Sequence, residues 1–244
     1  KLFDATSSEV SLDVLFVCLP NDVAPGATIG GLERGLHVFC EKPPGRDLGD
    51  IARVIATEKR HPGLKLKYGF NHRYHDSVRE AIRLINSGDL GRVINLRGVY
   101  GKSKIISFES DWRTQRKLAG GGILLDQGIH MLDMMRLFAG EFEQVHSFIR
   151  NDYWHHDVED NAFALMRDKH NRVAMLHSSA TQWHHKFSLE VGLTEGILEL
   201  QGILSGSKSY GEEKLVITKK SNLNNGSLEN RTMRFLEDNS WKDE

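Results

Sequence analysis

The sequence predicts an α/β plus α+β protein, a partial doubly wound parallel sheet followed by a mostly antiparallel open-sheet domain. Three observations carry this. Residues 1–70 hold continuous apolar runs separated by helix-length segments, the pattern of parallel strands covered on both faces. From about residue 92 onward, short apolar segments are joined by polar turns, as in antiparallel hairpins. The composition is that of an ordinary globular chain, with 32 Lys+Arg against 33 Asp+Glu and 39% hydrophobic residues over 244 positions. Disordered, collagen-like and disulfide-stapled classes are excluded.

The elements follow in order. A first strand is read at 12–19, then the Pro20-Asn21 turn and a Gly-punctuated helix over about 23–35. A second apolar run, 36–40, precedes a helix over about 47–61, with Asp47 at its N-cap and Pro62-Gly63 as its stop. Residues 65–70 read as a third parallel strand. Val78, Ala81, Ile82 and Ile85 recur at helical spacing and predict a helix over 74–87, ended by Ser87-Gly88. Strands are then expected at about 92–100, 143–150, 159–167, 172–180, 186–193, 196–201 and 214–219. One helix interrupts them at about 122–138, opened by Gly120-Gly121-Gly122 and closed by Gly140. The tail from Ser221, rich in Asn, Ser and charge, reads as loop or partly disordered. The expected organisation is a sheet domain at 1–70, a second domain at 71–220 and a polar tail at 221–244.

The formal charge of −1 gives no bulk electrostatic reason to approach phosphate backbones or anionic lipid. The longest strongly apolar run, 14–19, is far below the roughly 20 residues that cross a bilayer. The start, Lys1-Leu2-Phe3-Asp4, shows no apolar signal region. Cys18 and Cys40 sit in apolar runs and read as small buried hydrophobes, neither bridged nor reactive. The expectations are no nucleic-acid partner, no membrane and a cytoplasmic location.

Lys42 in Cys40-Glu41-Lys42-Pro43-Pro44 follows the second parallel strand, at the carboxyl edge where open α/β sheets bind ligands. Pro43 turns the chain out of the ladder and can aim Lys42 at the crevice; a solvated surface lysine is the other reading. In Gly120-Gly-Gly-Ile-Leu-Leu-Asp126-Gln-Gly-Ile-His130-Met-Leu-Asp133, Asp126 and His130 share a helical face, with Asp133 a turn further on. A carboxylate beside an imidazole can fix its tautomer and raise its proton affinity, as a general acid/base requires; a structural hydrogen bond is the alternative. Among the twelve His, Trp154-His155-His156 and Trp183-His184-His185 stand out. Adjacent His on a strand face opposite ways, so each pair offers one ligand to a given site. These residues could line a polyol pocket or lie on a solvent face. No Cys pair or H-E-x-x-H supports zinc, so no metal is expected and a zinc hydrolase ranks last.

The segments Asp13–Asn21 by position, Gly35…Glu41-Lys42-Pro43, Gly69-Phe70-Asn71-His72-Arg73-Tyr74, Gly88-Asp-Leu-Gly91 and Trp112-Arg113 followed by Gly120-Gly-Gly…Asp126…His130…Asp133 occur in one order. This closely resembles the glucose-fructose oxidoreductase, inositol dehydrogenase and rhizopine catabolism family (Gfo/Idh/MocA) of nicotinamide-dependent sugar oxidoreductases, over about residues 10–220. The resemblance implies a Rossmann domain, a catalytic and oligomerisation domain, NAD or NADP as cofactor, and a sugar or polyol substrate. It places Lys42, Asp126 and His130 in catalysis. Pro20, Asn21, Glu41, Lys42, Pro43 and Asn71 match positions that line the cofactor in relatives, and Arg73, Trp112 and Arg113 lie in segments that face the substrate. His130 is then the base, Asp126 its orienter and Lys42 the electrostatic partner of the developing alkoxide. A homodimer or homotetramer through the antiparallel sheet, about 144–219, is also expected.

The chain departs from the family in two places that bear on the cofactor. No G-x-G-x-x-G occurs, although the family holds the pyrophosphate on such a turn, and Ala24 stands where relatives tend to carry His. Missing upstream sequence, a true fragment and lost cofactor binding each account for the missing fingerprint. A sheet that began at strand 12–19 would leave an open edge, which favours missing sequence. A non-catalytic sugar-binding or interaction module derived from the family is the alternative function.

Overall fold

The computed structural model describes residues 12–103, 112–205, 209–221 and 227–244. They divide into two units, one running to Gly69 with Arg116–Gly120 added, the other formed by Phe70–Gln115 and Gly121–Glu244.

In the first unit β1 (Val14–Val17), β2 (His37–Glu41) and β3 (Leu66–Gly69) form a parallel sheet in that order. Helices α1 (Ala24–Leu32) and α2 (Leu48–Arg60) make the crossovers. The Asp47 side chain accepts from the Asp50 backbone N–H and caps α2, as the sequence leads one to expect. Val17, Ala24, Leu32, Val38 and Cys40 form the small core. Cys18, expected to be buried, is exposed, as are Val14 and Phe16 of the edge strand β1, whereas Cys40 is enclosed in the central strand β2. A short helix, α4 (Arg116–Ala119), belongs to this unit, and Asn21 Nδ2 donates to the Ala119 carbonyl at 2.8 Å.

The second unit is built on an eight-stranded sheet. Its strands are β4 (Val93–Gly101), β5 (Phe142–Arg150), β6 (Asn161–Asp168), β7 (Val173–Ser179), β8 (Lys186–Leu193), β9 (Gly196–Gln201), β10 (Glu213–Lys220) and β11 (Leu228–Phe235). The order is β11-β10-β9-β8-β4-β7-β6-β5, antiparallel throughout except for the parallel pair of β4 and β7. Helices α3 (Asp76–Ser87) and α5 (Ile129–Ala139) pack on one face and share its core with Leu96, Tyr100, Met131, Met134, Leu176 and Leu189. Gly98 lets α5 approach closely, since a Cβ there would meet Met131 Sδ at 2.5 Å and Met135 Cε at 2.6 Å. The other face is open, with Phe148 75%, Leu165 51% and Met175 45% exposed.

Two expectations need correction here. The tail from Ser221 is not loop throughout: β11 pairs with β10 over its whole length, and α6 (Ser240–Asp243) follows. The strand is mostly polar; apart from the exposed Leu228 its apolar residues are Met233 and Phe235, which pack on the core. Ladder bonds and cross-strand pairs such as Thr218 Oγ1 to Asn230 Oδ1, 2.7 Å, hold the remainder. The helix expected over 122–138 opens instead with a π-helical turn, Leu124–Gly128, before α5. No helix among the described residues is long and apolar enough to cross a membrane.

Candidate active site

Each unit carries part of the expected constellation. In the first, Pro20 and Asn21 follow β1, while Glu41 and Lys42 lie at the carboxyl end of β2, before a cis Lys42–Pro43 peptide. The Pro20 carbonyl accepts from the Val23 and Ala24 N–H groups, at 3.0 Å each, and forms the turn into α1. Burial pushes the Glu41 carboxyl above its ordinary range, against the pull of the Lys42 N–H and ammonium. An amide, a carboxyl and an ammonium at a sheet's carboxyl edge suit the nucleoside end of a nicotinamide cofactor. The sequence contains no G-x-G-x-x-G, the turn that holds a pyrophosphate in such sheets.

In the second unit the start of the π turn that leads into α5 is fixed by Glu159, in the loop just before β6. Ile123 N–H donates to the Glu159 carbonyl and Leu124 N–H to Glu159 Oε1, both at 3.1 Å, so this acidic side chain satisfies an otherwise orphan helix-start amide. Gly122 lies so close that a Cβ would meet the Glu159 carbonyl oxygen at 2.1 Å. These contacts set where Asp126 and His130 fall. The Asp126 carboxylate accepts from Lys102 Nζ at 2.7 Å, with both side chains largely enclosed. His130 is buried at the first turn of α5, and its ring lies face to face with that of His72, centroids 3.8 Å apart and planes 14° apart.

His72 is the hub of this cluster. Its Nδ1 meets Asn71 Oδ1 and its Nε2 meets the Tyr100 hydroxyl, each at 2.9 Å. His75 stands edge-on to it at 5.5 Å. Beyond Tyr100 comes the Tyr210 ring at 5.3 Å, then His185 against Tyr210 at 4.8 Å, and Tyr210 donates to Gln127 Oε1 at 3.3 Å. Burial pushes both phenols well up, so each remains a donor at neutral pH. Burial, with the Lys102 ammonium, holds His185 below its ordinary value. Lys102, Asp126, Gln127, His185 and Tyr210 thus add polar groups next to the ring cluster, a combination that can bind a polyhydroxylated molecule and exchange a proton with it.

Of the other expected residues, Asn71 is buried with its amide between His72 and Ser240. Arg73 grips Asp133 with two bonds, 2.6 and 2.5 Å. Trp112 and Arg113 open a 3-10 turn, the guanidinium 4.5 Å from the indole centroid. The conspicuous Trp-His-His runs lie in loops and not on strands, so the face argument made from strand alternation does not apply to them. Trp154 anchors its loop by donating from Nε1 to the Ala180 carbonyl at 2.8 Å. Among the described residues no group of three or more His, Cys, Asp or Glu is placed to hold a metal ion. The sequence reading missed Tyr100, Lys102 and Tyr210, and gave His72 no role. Only His72, inside the quoted Asn71-His72-Arg73 segment, carried a local signal.

The family model described as GFO/IDH/MocA C-terminal domain matches residues 78–199, half of the chain, and the model described as oxidoreductase family, NAD-binding Rossmann fold matches residues 2–70. The 1,5-anhydro-D-fructose reductase of Ensifer adhaerens is 30% identical over 194 residues, covering 77% of this chain and 56% of that protein. The D-glucoside 3-dehydrogenase of Escherichia coli K12 is 36% identical over 138 residues, covering 54% and 37%. A solved levoglucosan dehydrogenase in complex with NADH and L-sorbose superposes with a TM-score of 0.79 at 23% identity, over 91% of this chain and 61% of that one. The chain therefore spans little more than half of the first of these curated relatives and about a third of the second.

Proposed function

Because the chain belongs to the Gfo/Idh/MocA oxidoreductase family, we propose that the protein is an NAD(P)-dependent oxidoreductase acting on a secondary alcohol of a sugar, sugar derivative or cyclitol. The observation that carries this reading is the buried His130 imidazole, stacked on His72 in the unit that also holds the Asp126–Lys102 pair. When bound, the nicotinamide supplies the hydride acceptor or donor. His130 takes the hydroxyl proton at an imidazole nitrogen during oxidation and returns it in reduction. Asp126, its carboxylate fixed by Lys102, is the orienting carboxylate, and Lys42 is the cation that stabilises a developing alkoxide.

Pro20, Asn21, Glu41, Lys42, Pro43 and Asn71 are assigned to the cofactor, and Arg73, Trp112 and Arg113 to the substrate. The substrate class follows relatives named for 1,5-anhydro-D-fructose and D-glucosides. A homodimer or homotetramer through the open face of the eight-stranded sheet is part of the same proposal, supported by the apolar groups on it. The free Cys18 and Cys40 suit a reducing compartment, the cytoplasm.

The test is titration of the full-length protein with NAD(H) and NADP(H), followed by a panel of sugars, glycosides and cyclitols read at the nicotinamide absorbance. Binding of one cofactor and turnover of at least one polyol are expected. Failure to bind either cofactor overturns the proposal.

A further inference from the structure

A hydrogen-bond chain whose direction is fixed as far as His72 Nδ1 runs from the C-terminal segment to the stacked imidazoles. Ser240 Oγ lies 2.6 Å from Asp238 Oδ1, and the Ser240 N–H also points to that oxygen at 3.0 Å. A carboxylate only accepts, so the single Ser240 hydroxyl proton is committed to Asp238. Ser240 Oγ therefore faces Asn71 with lone pairs, and the group it meets at 3.2 Å must be the Asn71 NH₂. That fixes the amide, which would otherwise be ambiguous between its oxygen and nitrogen. Asn71 Oδ1 is left facing His72 Nδ1 at 2.9 Å, so Nδ1 carries a proton. In the neutral ring Nε2 then accepts from the Tyr100 hydroxyl, also at 2.9 Å.

We infer that Asp238 and Ser240 are positioning residues for the proton-transfer site: through Asn71 they lock His72 as the neutral Nδ1–H tautomer, so that His130 stacks on an uncharged ring. This rests on the assignment of His130 as the proton acceptor. The geometry explains why the lock matters. Two imidazoles 3.8 Å apart, both buried, cannot both carry charge cheaply, and a proton on His72 would oppose a proton on His130.

Among the described residues, the acidic groups Glu213, Asp133 and Asp126 each have a partner. Beyond His75, which is edge-on to His72, lies Glu213, bonded to His75 Nδ1 at 2.8 Å. On α5 Asp133 is neutralised by Arg73, and Asp126 in the π turn by Lys102. Tyr100 and Tyr210 remain protonated, and His185 lies beyond them. Ser240 is fully buried while Asp238 is exposed, so the start of the chain can be altered without opening the core.

The experiment uses full-length protein labelled with ¹⁵N-histidine, as wild type, Asp238→Ala and Ser240→Ala. Long-range ¹H–¹⁵N spectra assign the tautomer and titration of His72 and His130, and turnover is measured against pH. In the wild type His72 is expected as one neutral Nδ1–H tautomer across roughly pH 5 to 8, the range in which imidazoles ordinarily titrate. In both variants His72 is expected to lose that single signature, the His130 midpoint to move, and kcat to fall about tenfold. A doubly protonated or Nε2–H His72 in the wild type overturns the inference. So does an unchanged His130 titration in variants whose His72 tautomer has changed. The tautomer readout needs no turnover, so an inactive wild-type protein would count against the oxidoreductase reading and leave the lock to be decided by the spectra.

Discussion

His72 and His130 lie face to face, 3.8 Å apart at their centroids and 14° from coplanar, although they come from a 3-10 turn and from α5. Neither spacing nor periodicity relates them; the contact is made where α5 packs against the 3-10 turn and, at Gly98, closely on β4. His72→Phe preserves a ring face but leaves the Tyr100 hydroxyl and the Asn71 carbonyl without their imidazole partner. A loss of about 2 kcal/mol is expected for these buried polar groups. The denaturant midpoint checks it, and an unchanged midpoint would mean that the two bonds add nothing to stability.

The His75–Glu213 pair predicts an acid-sensitive core. Burial alone would raise the Glu213 carboxyl, but His75 and the Ser77 N–H overcome this and hold it below its usual range. A carboxyl depressed in the folded state stabilises the fold above its unfolded value, near 4.3 for Glu by rough reference, and that contribution is lost as pH falls through the folded value. Glu213→Gln is therefore expected to cost about 3 kcal/mol at neutral pH and to flatten the decline in stability below about pH 4. Parallel acid limbs in the two proteins would contradict this.

Gly122 is expected to tolerate no side chain. The atom that a Cβ would meet at 2.1 Å is a backbone carbonyl oxygen, which cannot swing aside. Gly122→Ala should lower stability by about 3 kcal/mol and displace the π turn that carries Asp126. At Gly98 the obstacles are flexible Met131 and Met135 side chains, so Gly98→Ala should cost less. Thermal unfolding of the two variants gives the order.

On the open face, a pocket of about 470 Å³ is lined by Phe148, Phe163, Leu165, Met175 and His177 among others. If that face pairs subunits, Phe148→Asp, at a position 75% exposed here, should yield monomers without loss of fold. Sedimentation velocity checks it; a wild-type monomer, or a variant that still associates, contradicts the proposed interface.

The strands and the main helices were legible because burial imposes a period on them, from the continuous apolar run of β2 to the alternation of β8 and β9. The Asp47 cap was equally local. What escaped depended on contacts distant in sequence. β11 carries Glu229, Asn230 and Arg231 and becomes a strand only by pairing with β10. The π turn arises where Gly122 and Leu124 meet Glu159, and nothing in residues 122–128 alone announces it. The same holds for the site. Asp126 and His130 could be named from one helix, whereas Lys102 reaches Asp126 from the end of β4, and Tyr100 meets His72 from the core face of that strand. Their roles are tertiary, so no pattern in a single segment could carry them.

The central assignment is His130 as the group that exchanges the substrate's hydroxyl proton. Its most direct test is His130→Ala in the full-length protein, with cofactor affinity and polyol turnover measured on the same preparation. Unchanged NAD(H) or NADP(H) affinity with turnover reduced by at least about a hundredfold is the expected result. Near-normal turnover with normal cofactor binding would contradict it.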